Sequence, residues 1–122
     1  MLTIIPALDF MRSICGSYRS TESAATLRIW PCGYGLAIDL VDDGKTKLVG
    51  VVGASGTGVE CFAQFGLPNV IRLAGQLDAQ ATIRFVCEDP ALEVSIAREA
   101  PSVQFALSIQ GNERARYRFN AD

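Results

Sequence analysis

Short stretches of alternating apolar and polar residues recur along the chain between residues 25 and 120, with turn residues between them. Residues 81–88 show the pattern most clearly, and residues 92–98 repeat it after Asp89 and Pro90. Successive side chains of a β-strand point to opposite faces, so a period of two places one face in a core and the other in water. Each stretch is therefore predicted to be a half-buried strand.

The spacing of these stretches predicts an all-β fold. Nine strands, or ten if residues 17–20 form one, start at intervals of roughly eleven residues, which is typical of a sandwich or barrel. No connection is long enough for a helical crossover, so sequence neighbours are expected to pair antiparallel. We predict one domain over residues 1–122, with a short amphipathic capping helix at residues 6–14. An up-and-down meander at residues 17–120 then closes into a barrel, because closure removes both exposed edges.

Bulk properties narrow the classes of function. The formal net charge is −2, which disfavours a nucleic-acid partner or an anionic membrane surface. There are no histidines, so the commonest general base and metal ligand is missing, and we expect a protein that is not an enzyme. The apolar N-terminus lacks a basic segment and is interrupted by Asp9, which predicts a cytoplasmic protein without a membrane span.

The four cysteines are widely spaced, with no Cys-x-x-Cys pair, so neither a metal nor a redox motif is indicated. Free structural thiols are the first expectation and disulfides the alternative. Asp39, Asp42 and Asp43 could supply oxygen ligands, but their spacing is typical of a solvated turn. No cofactor and no metal site are predicted.

The phase of the strands predicts an apolar interior. Such a barrel is either filled by its own side chains, which we favour, or holds a small apolar ligand. Small residues at Gly50, Ala63, Gly75 and Ala81 could leave room for that ligand, or could let a tapered barrel close on itself. The side chains predicted to line a ligand site are Leu36, Ile38, Phe65, Leu73, Phe85, Val94, Phe105 and Tyr117.

Residues 48–58 contain four glycines and are similar to the strand and glycine-rich turn of a dinucleotide-binding fold. The third glycine position of that motif holds Val59, and no Lys-Ser or Lys-Thr pair follows Gly58. Residues 59–65 also alternate as a strand would. A glycine-rich hairpin turn is therefore the preferred interpretation.

Two outward-facing groups suggest contacts with a partner. Val49, Val51 and Phe62 fall where polar residues are expected. We expect the N-terminal helix to pack over these side chains, and the alternative is that they form a dimer interface. Arg114, Arg116 and Arg118 lie at alternate positions of the last strand. They form either a solvated face or a patch that binds an anion or a partner. Trp30 is expected to cover one barrel end.

The segment Gly16-Ser17-Tyr18, after a short helix, opens a meander that ends on Arg114-Ala115-Arg116-Tyr117-Arg118. This arrangement resembles the calycin, or lipocalin-like, plan, and the segment at residues 16–20 also resembles the start of lipocalin-like accessory domains of some serine hydrolases. The resemblance implies a barrel that binds a small apolar ligand. It also implies a structural seal in which Tyr18 packs under Arg116 or Arg118, with Tyr18 standing where that plan usually has tryptophan.

Three functions follow as hypotheses. The first is a non-enzymatic lipocalin-like barrel that binds a small apolar ligand. The second is a protein-interaction module, such as an inhibitor, immunity or regulatory protein, that uses its outer surface and can form a homodimer. An enzyme acting through Asp, Glu or Tyr at a barrel mouth is the least favoured.

Overall fold

A computed structural model describes residues 5–122, which form one α-helix and ten β-strands. The helix is α1 (Pro6–Ser13). The strands are β1 (Gly16–Ser20), β2 (Thr26–Cys32), β3 (Gly35–Asp42), β4 (Lys45–Ser55), β5 (Gly58–Gln64), β6 (Ile71–Leu77), β7 (Thr82–Glu88), β8 (Ala91–Glu99), β9 (Ser102–Ile109) and β10 (Asn112–Ala121).

Every strand pairs antiparallel with its neighbours in sequence, and β10 returns to pair with β1, so the sheet is a closed barrel. The predicted all-β meander barrel is thereby confirmed. The structure has ten strands where about nine were predicted, because the short β1 takes part in closure. Only Tyr18 of β1 is buried, so this strand carries little of the alternation that marks the others.

The helix begins with Pro6, whose fixed φ suits a first helical turn, and it buries Ala7, Leu8, Phe10 and Met11. It contacts β3, β5 and β6. The Arg12 guanidinium donates to the carbonyl of Tyr34, just before β3. The helix thus covers the end of the barrel where β3 and β5 begin, called here the helix end; the opposite end is the mouth. No helix within residues 5–122 is long and apolar enough to cross a membrane.

Two tight turns follow the local sequence. Asp42 pairs with Lys45, and Asp43 and Gly44 between them have φ of 53° and 72°, as a type I′ hairpin turn requires. In the glycine-rich segment, Ser55 pairs with Gly58, and Gly56 has φ of 57°. This segment forms a hairpin between β4 and β5, as the preferred interpretation predicted.

Gly75 shows how small and large residues fit inside the barrel. It lies between Val59 and Phe85 in the register of β5, β6 and β7. A Cβ atom at Gly75 would lie 2.6 Å from two ring carbons of Phe85 and 2.8 Å from Cγ2 of Val59. Phe85 and Val59 are both buried, so the two side chains that meet at Gly75 belong to the packed core. The gap at Gly75 is therefore filled by the ring of Phe85.

We expect Gly75→Ala to lower the free energy of unfolding by about 1–3 kcal/mol, because the added methyl group overpacks a closed core. Gly53→Ala is the matched control: a Cβ there meets nothing within 4 Å, and its φ is not in the left-handed region. Urea denaturation of both variants measures the difference. Equal stability of the two variants would contradict the close fit of Phe85 on Gly75.

Candidate functional site

The eight side chains predicted to line a ligand site all lie on the interior side of the barrel. Phe65 and Tyr117 are half-buried, and the other six are at most 3% exposed. Among residues 5–122, the barrel interior holds a cavity of about 10 Å³, roughly the space of one water molecule. The interior is therefore filled. The cavity is lined by Ile38, Leu48, Val52, Cys61, Phe65, Leu73, Phe85, Val94 and Ile96.

Tyr117 carries a polar contact near the mouth. Its hydroxyl donates to Oδ2 of Asp42 at 2.8 Å, across the gap between β10 and β3. Its ring stacks on Phe119 with centroids 5.4 Å apart. Burial, and then the hydrogen bond to Asp42, raises the pKa of Tyr117 to about 12, so the phenol stays neutral at physiological pH. The contact ties the last strand to the β3–β4 turn.

The structure differs from the predicted seal of Tyr18 under Arg116 or Arg118. Tyr18 is buried and its hydroxyl donates at 2.6 Å to the carbonyl of Ile14, at the end of α1. Arg116 instead contacts Glu113 and Gln104 on the outer wall, and Arg118 is exposed there too. The alternation of β10 explains this, because the residues facing the interior are Tyr117 and Phe119.

The predicted partner surface forms part of a larger apolar group on the outer wall. We call Trp30, Ala37, Val49, Val51 and Phe62 the wall patch. Pairing places four of them in one row across β2 to β5: Trp30 opposite Ala37, Ala37 opposite Val51, and Val51 opposite Phe62. Trp30, Val49, Val51 and Phe62 are 38%, 41%, 49% and 44% exposed.

Two expectations about this region are wrong. The helix does not cover Val49, Val51 and Phe62, since its apolar face lies on the helix end of the barrel. Trp30 does not close a barrel end; it lies on the outer wall, with the guanidinium carbon of Arg28 4.9 Å from its ring centroid. Trp30 alternates with the buried Ile29 and therefore faces outward, whereas the helix contacts β3, β5 and β6 at the helix end.

Ion pairs border the wall patch on both sides. Arg28 on β2 contacts Asp39 on β3 at 3.3 Å. On the other side, Arg72 on β6 contacts Glu60 on β5 at 2.6 Å, and this hydrogen bond lowers the pKa of Glu60. Each border is therefore electrically neutral.

Neither the cysteines nor the aspartates near the β3–β4 turn form a reactive site or a metal site among the described residues. All four cysteines are free thiols, and burial raises the pKa of Cys61 to about 12, which keeps it protonated. Asp39 and Asp42 are occupied by Arg28 and Tyr117. Within residues 5–122, no three metal-ligating side chains cluster.

Sequence reasoning missed a cleft beside the mouth. It has a volume of about 520 Å³ and opens between the β5–β6 and β7–β8 connections. Leu67 and Val70 border it and are exposed. They lie in an irregular connection, where no periodic pattern indicates which side chains meet.

Comparison with known proteins gives no match: neither a protein-family model, nor a curated protein, nor a solved structure is significantly similar to this chain. The closed antiparallel barrel is consistent with the calycin plan as a fold.

The pKa values of Tyr117 and Cys61 predict a loss of stability in alkali. Folding raises them from 10.0 and 9.0 to about 12, so both protonated forms are favoured by the folded state. Their contribution to stability is fully present below pH 9, where both side chains are protonated in the folded and in the unfolded chain. It falls as pH rises toward 12, because the unfolded chain ionises first. Urea denaturation between pH 8 and pH 11 measures this decline.

Tyr117→Phe should reduce the part of the decline that begins near pH 10. The parts due to Cys61, and to Tyr18 and Cys15, whose pKa values burial also raises, should remain. Tyr34→Phe is the control, because Tyr34 is 98% exposed and has no buried phenol to lose. If Tyr117→Phe declined as steeply as the control, the assignment to Tyr117 would be incorrect.

Proposed function

We propose that this protein is a non-enzymatic protein-interaction module, in which the barrel is a scaffold and the wall patch joins two copies as a homodimer. The observation that carries the proposal is the uncovered row of Trp30, Val51 and Phe62 on the outer wall. Contiguous exposed apolar groups of this kind mark contact surfaces in soluble proteins.

The filled interior favours this function over apolar-ligand binding. A cavity of about 10 Å³ admits nothing larger than water. A ligand in the barrel would have to displace core side chains such as Phe85 and Leu73, which are at most 2% exposed. Displacing packed side chains costs free energy, and the binding of the ligand would have to offset that cost. The outer surface needs no such rearrangement.

The shape of the row suits a second copy of the same chain. Ala37 is small and lies between Trp30 and Val51, so it forms a depression between two larger side chains. A two-fold axis parallel to the strands, between Ala37 and Val51, sets Val51 of each copy over Ala37 of the other. Phe62 then meets Trp30. Such an interface is isologous and closes at two copies.

The charges around the patch permit this contact. Arg28 with Asp39, and Arg72 with Glu60, make each border neutral, so two patches can approach without repulsion between like charges. A closed barrel also has its β2–β5 strands fully paired, which leaves face-to-face packing as the mode of contact there.

Val51→Lys should weaken self-association by at least about tenfold, because it places a charge in the centre of an apolar interface. Val86→Lys is the matched control: Val86 is 42% exposed on β7, outside the patch. Sedimentation velocity over a concentration series measures the dimer fraction of wild type and both variants.

Wild type and Val86→Lys are expected to dimerise with equal affinity. A wild type that stays monomeric across the series would refute the homodimer. Equal weakening by both lysine variants would refute the assignment of the interface to the wall patch.

A further inference from the structure

The barrel is closed by an incomplete seam. β1 pairs with β10 at three positions only, which join Tyr18 to Ala121, Arg19 to Asn120 and Ser20 to Phe119. On its other side β10 pairs with β9 from Asn112 to Asn120, with a register shift between Glu113 and Ala115. In the strand pairings of residues 5–122, residues 112–117 of β10 therefore have a neighbour on one side only.

The orientation of Arg118 shows which backbone groups face the open side. The Arg118 carbonyl accepts from the amide of Thr21, beyond the end of β1, so the peptide groups of Arg118 point toward the seam. Peptide groups of alternate residues in an antiparallel strand point the same way. The N–H and C=O of Arg116 therefore also face the open side, where they form an exposed strand edge.

Positive charge lines this edge. Arg114, Arg116 and Arg118 are all exposed. Arg116 is paired with Glu113, whereas no carboxylate of the described residues lies within 4.0 Å of Arg114 or Arg118. The inward side chains beside them, Ala115 and Tyr117, are half-buried at the mouth. One face of an added strand would thus meet guanidinium groups. The other would meet the rim formed by Ala115 and the ring of Tyr117, whose hydroxyl is already bonded to Asp42.

We propose that residues 112–117 of β10 bind an extended peptide segment of a partner protein, in which acidic and apolar residues alternate, as an eleventh strand. Main-chain hydrogen bonds to the open edge supply affinity in this mode, and alternate side chains supply specificity. Acidic side chains lie beside Arg114, Arg116 and Arg118 on the outer face. Apolar side chains extend the rim formed by Ala115 and Tyr117.

The same charges exclude a second copy from this edge. Two β10 edges in contact would bring arginines against arginines, and the irregularity in register between Glu113 and Ala115 further disfavours a regular pair of identical strands. Self-association is therefore expected at the wall patch, and an acidic partner at the β10 edge. The second site does not depend on the first.

A labelled peptide, acetyl-Glu-Val-Glu-Val-Glu-Val-amide, tests the proposal by fluorescence anisotropy with the full-length protein. In antiparallel pairing the glutamate facing the same side as Arg116 exchanges both hydrogen bonds with it. Methylation of the glutamate amide nitrogens should then weaken binding by about tenfold or more, whereas methylation of the valine amide nitrogens should leave it intact. Charge and composition are identical in the two methylated peptides.

The combined variant Arg114→Gln and Arg118→Gln should also weaken binding, by about tenfold, since it removes two charges that lack an internal partner. Arg84→Gln, on the outer wall of β7, is the matched control and should bind as wild type does. Equal affinity of both methylated peptides would overturn strand addition. Undiminished binding by the double variant would overturn the role of the arginines.

Discussion

Closure of the sheet by three residue pairs between β1 and β10 is the constraint on which the rest of the structure depends. These pairs join segments about a hundred residues apart, as the Arg19–Asp122 ion pair of the same seam shows with its separation of 103 residues. The Tyr18 hydroxyl on β1 also donates to the carbonyl of Ile14, just after α1. This hydrogen bond joins the helix to the strand that closes the barrel. With the seam open, the apolar faces of all ten strands would be accessible to water.

Closure alone does not decide whether the barrel is a container. Ten strands enclose more space than the eight of lipocalins and streptavidin, which hold one small ligand. Here Phe85, Phe105 and Phe119 occupy the interior, and Met11 of α1 and Ile14 just after it pack in the same core. Aromatic side chains, together with side chains of the helix, therefore fill the space that a ten-stranded barrel encloses. The sheet is therefore a closed barrel whose interior is a packed core.

The features that were predictable from sequence are those fixed locally. The alternating pattern identified nine strands and showed that residues such as Leu36 and Phe105 face inward. The pair Asp43-Gly44 identified the β3–β4 turn. Two predictions failed for different reasons. Whether α1 covers Val51 depends on contacts between distant elements, for which one sequence holds no signal. The seal of Tyr18 under Arg116 failed because Arg116 alternates with Tyr117 and so faces outward. Ala37 had no place in the predicted partner surface because only pairing sets it between Trp30 and Val51.

The short β1 links the scaffold to its two proposed contacts. A longer β1 would pair with all of β10, and the arginine edge would be lost; a missing β1 would open the core. Five residues close the barrel near the helix end and leave β10 open toward the mouth. Trp30 lies at the end of β2 that is nearer the helix, so a dimer formed there leaves the mouth-side edge of each copy exposed. Homodimerisation would then present two edges to one partner, which raises its apparent affinity when both are engaged together.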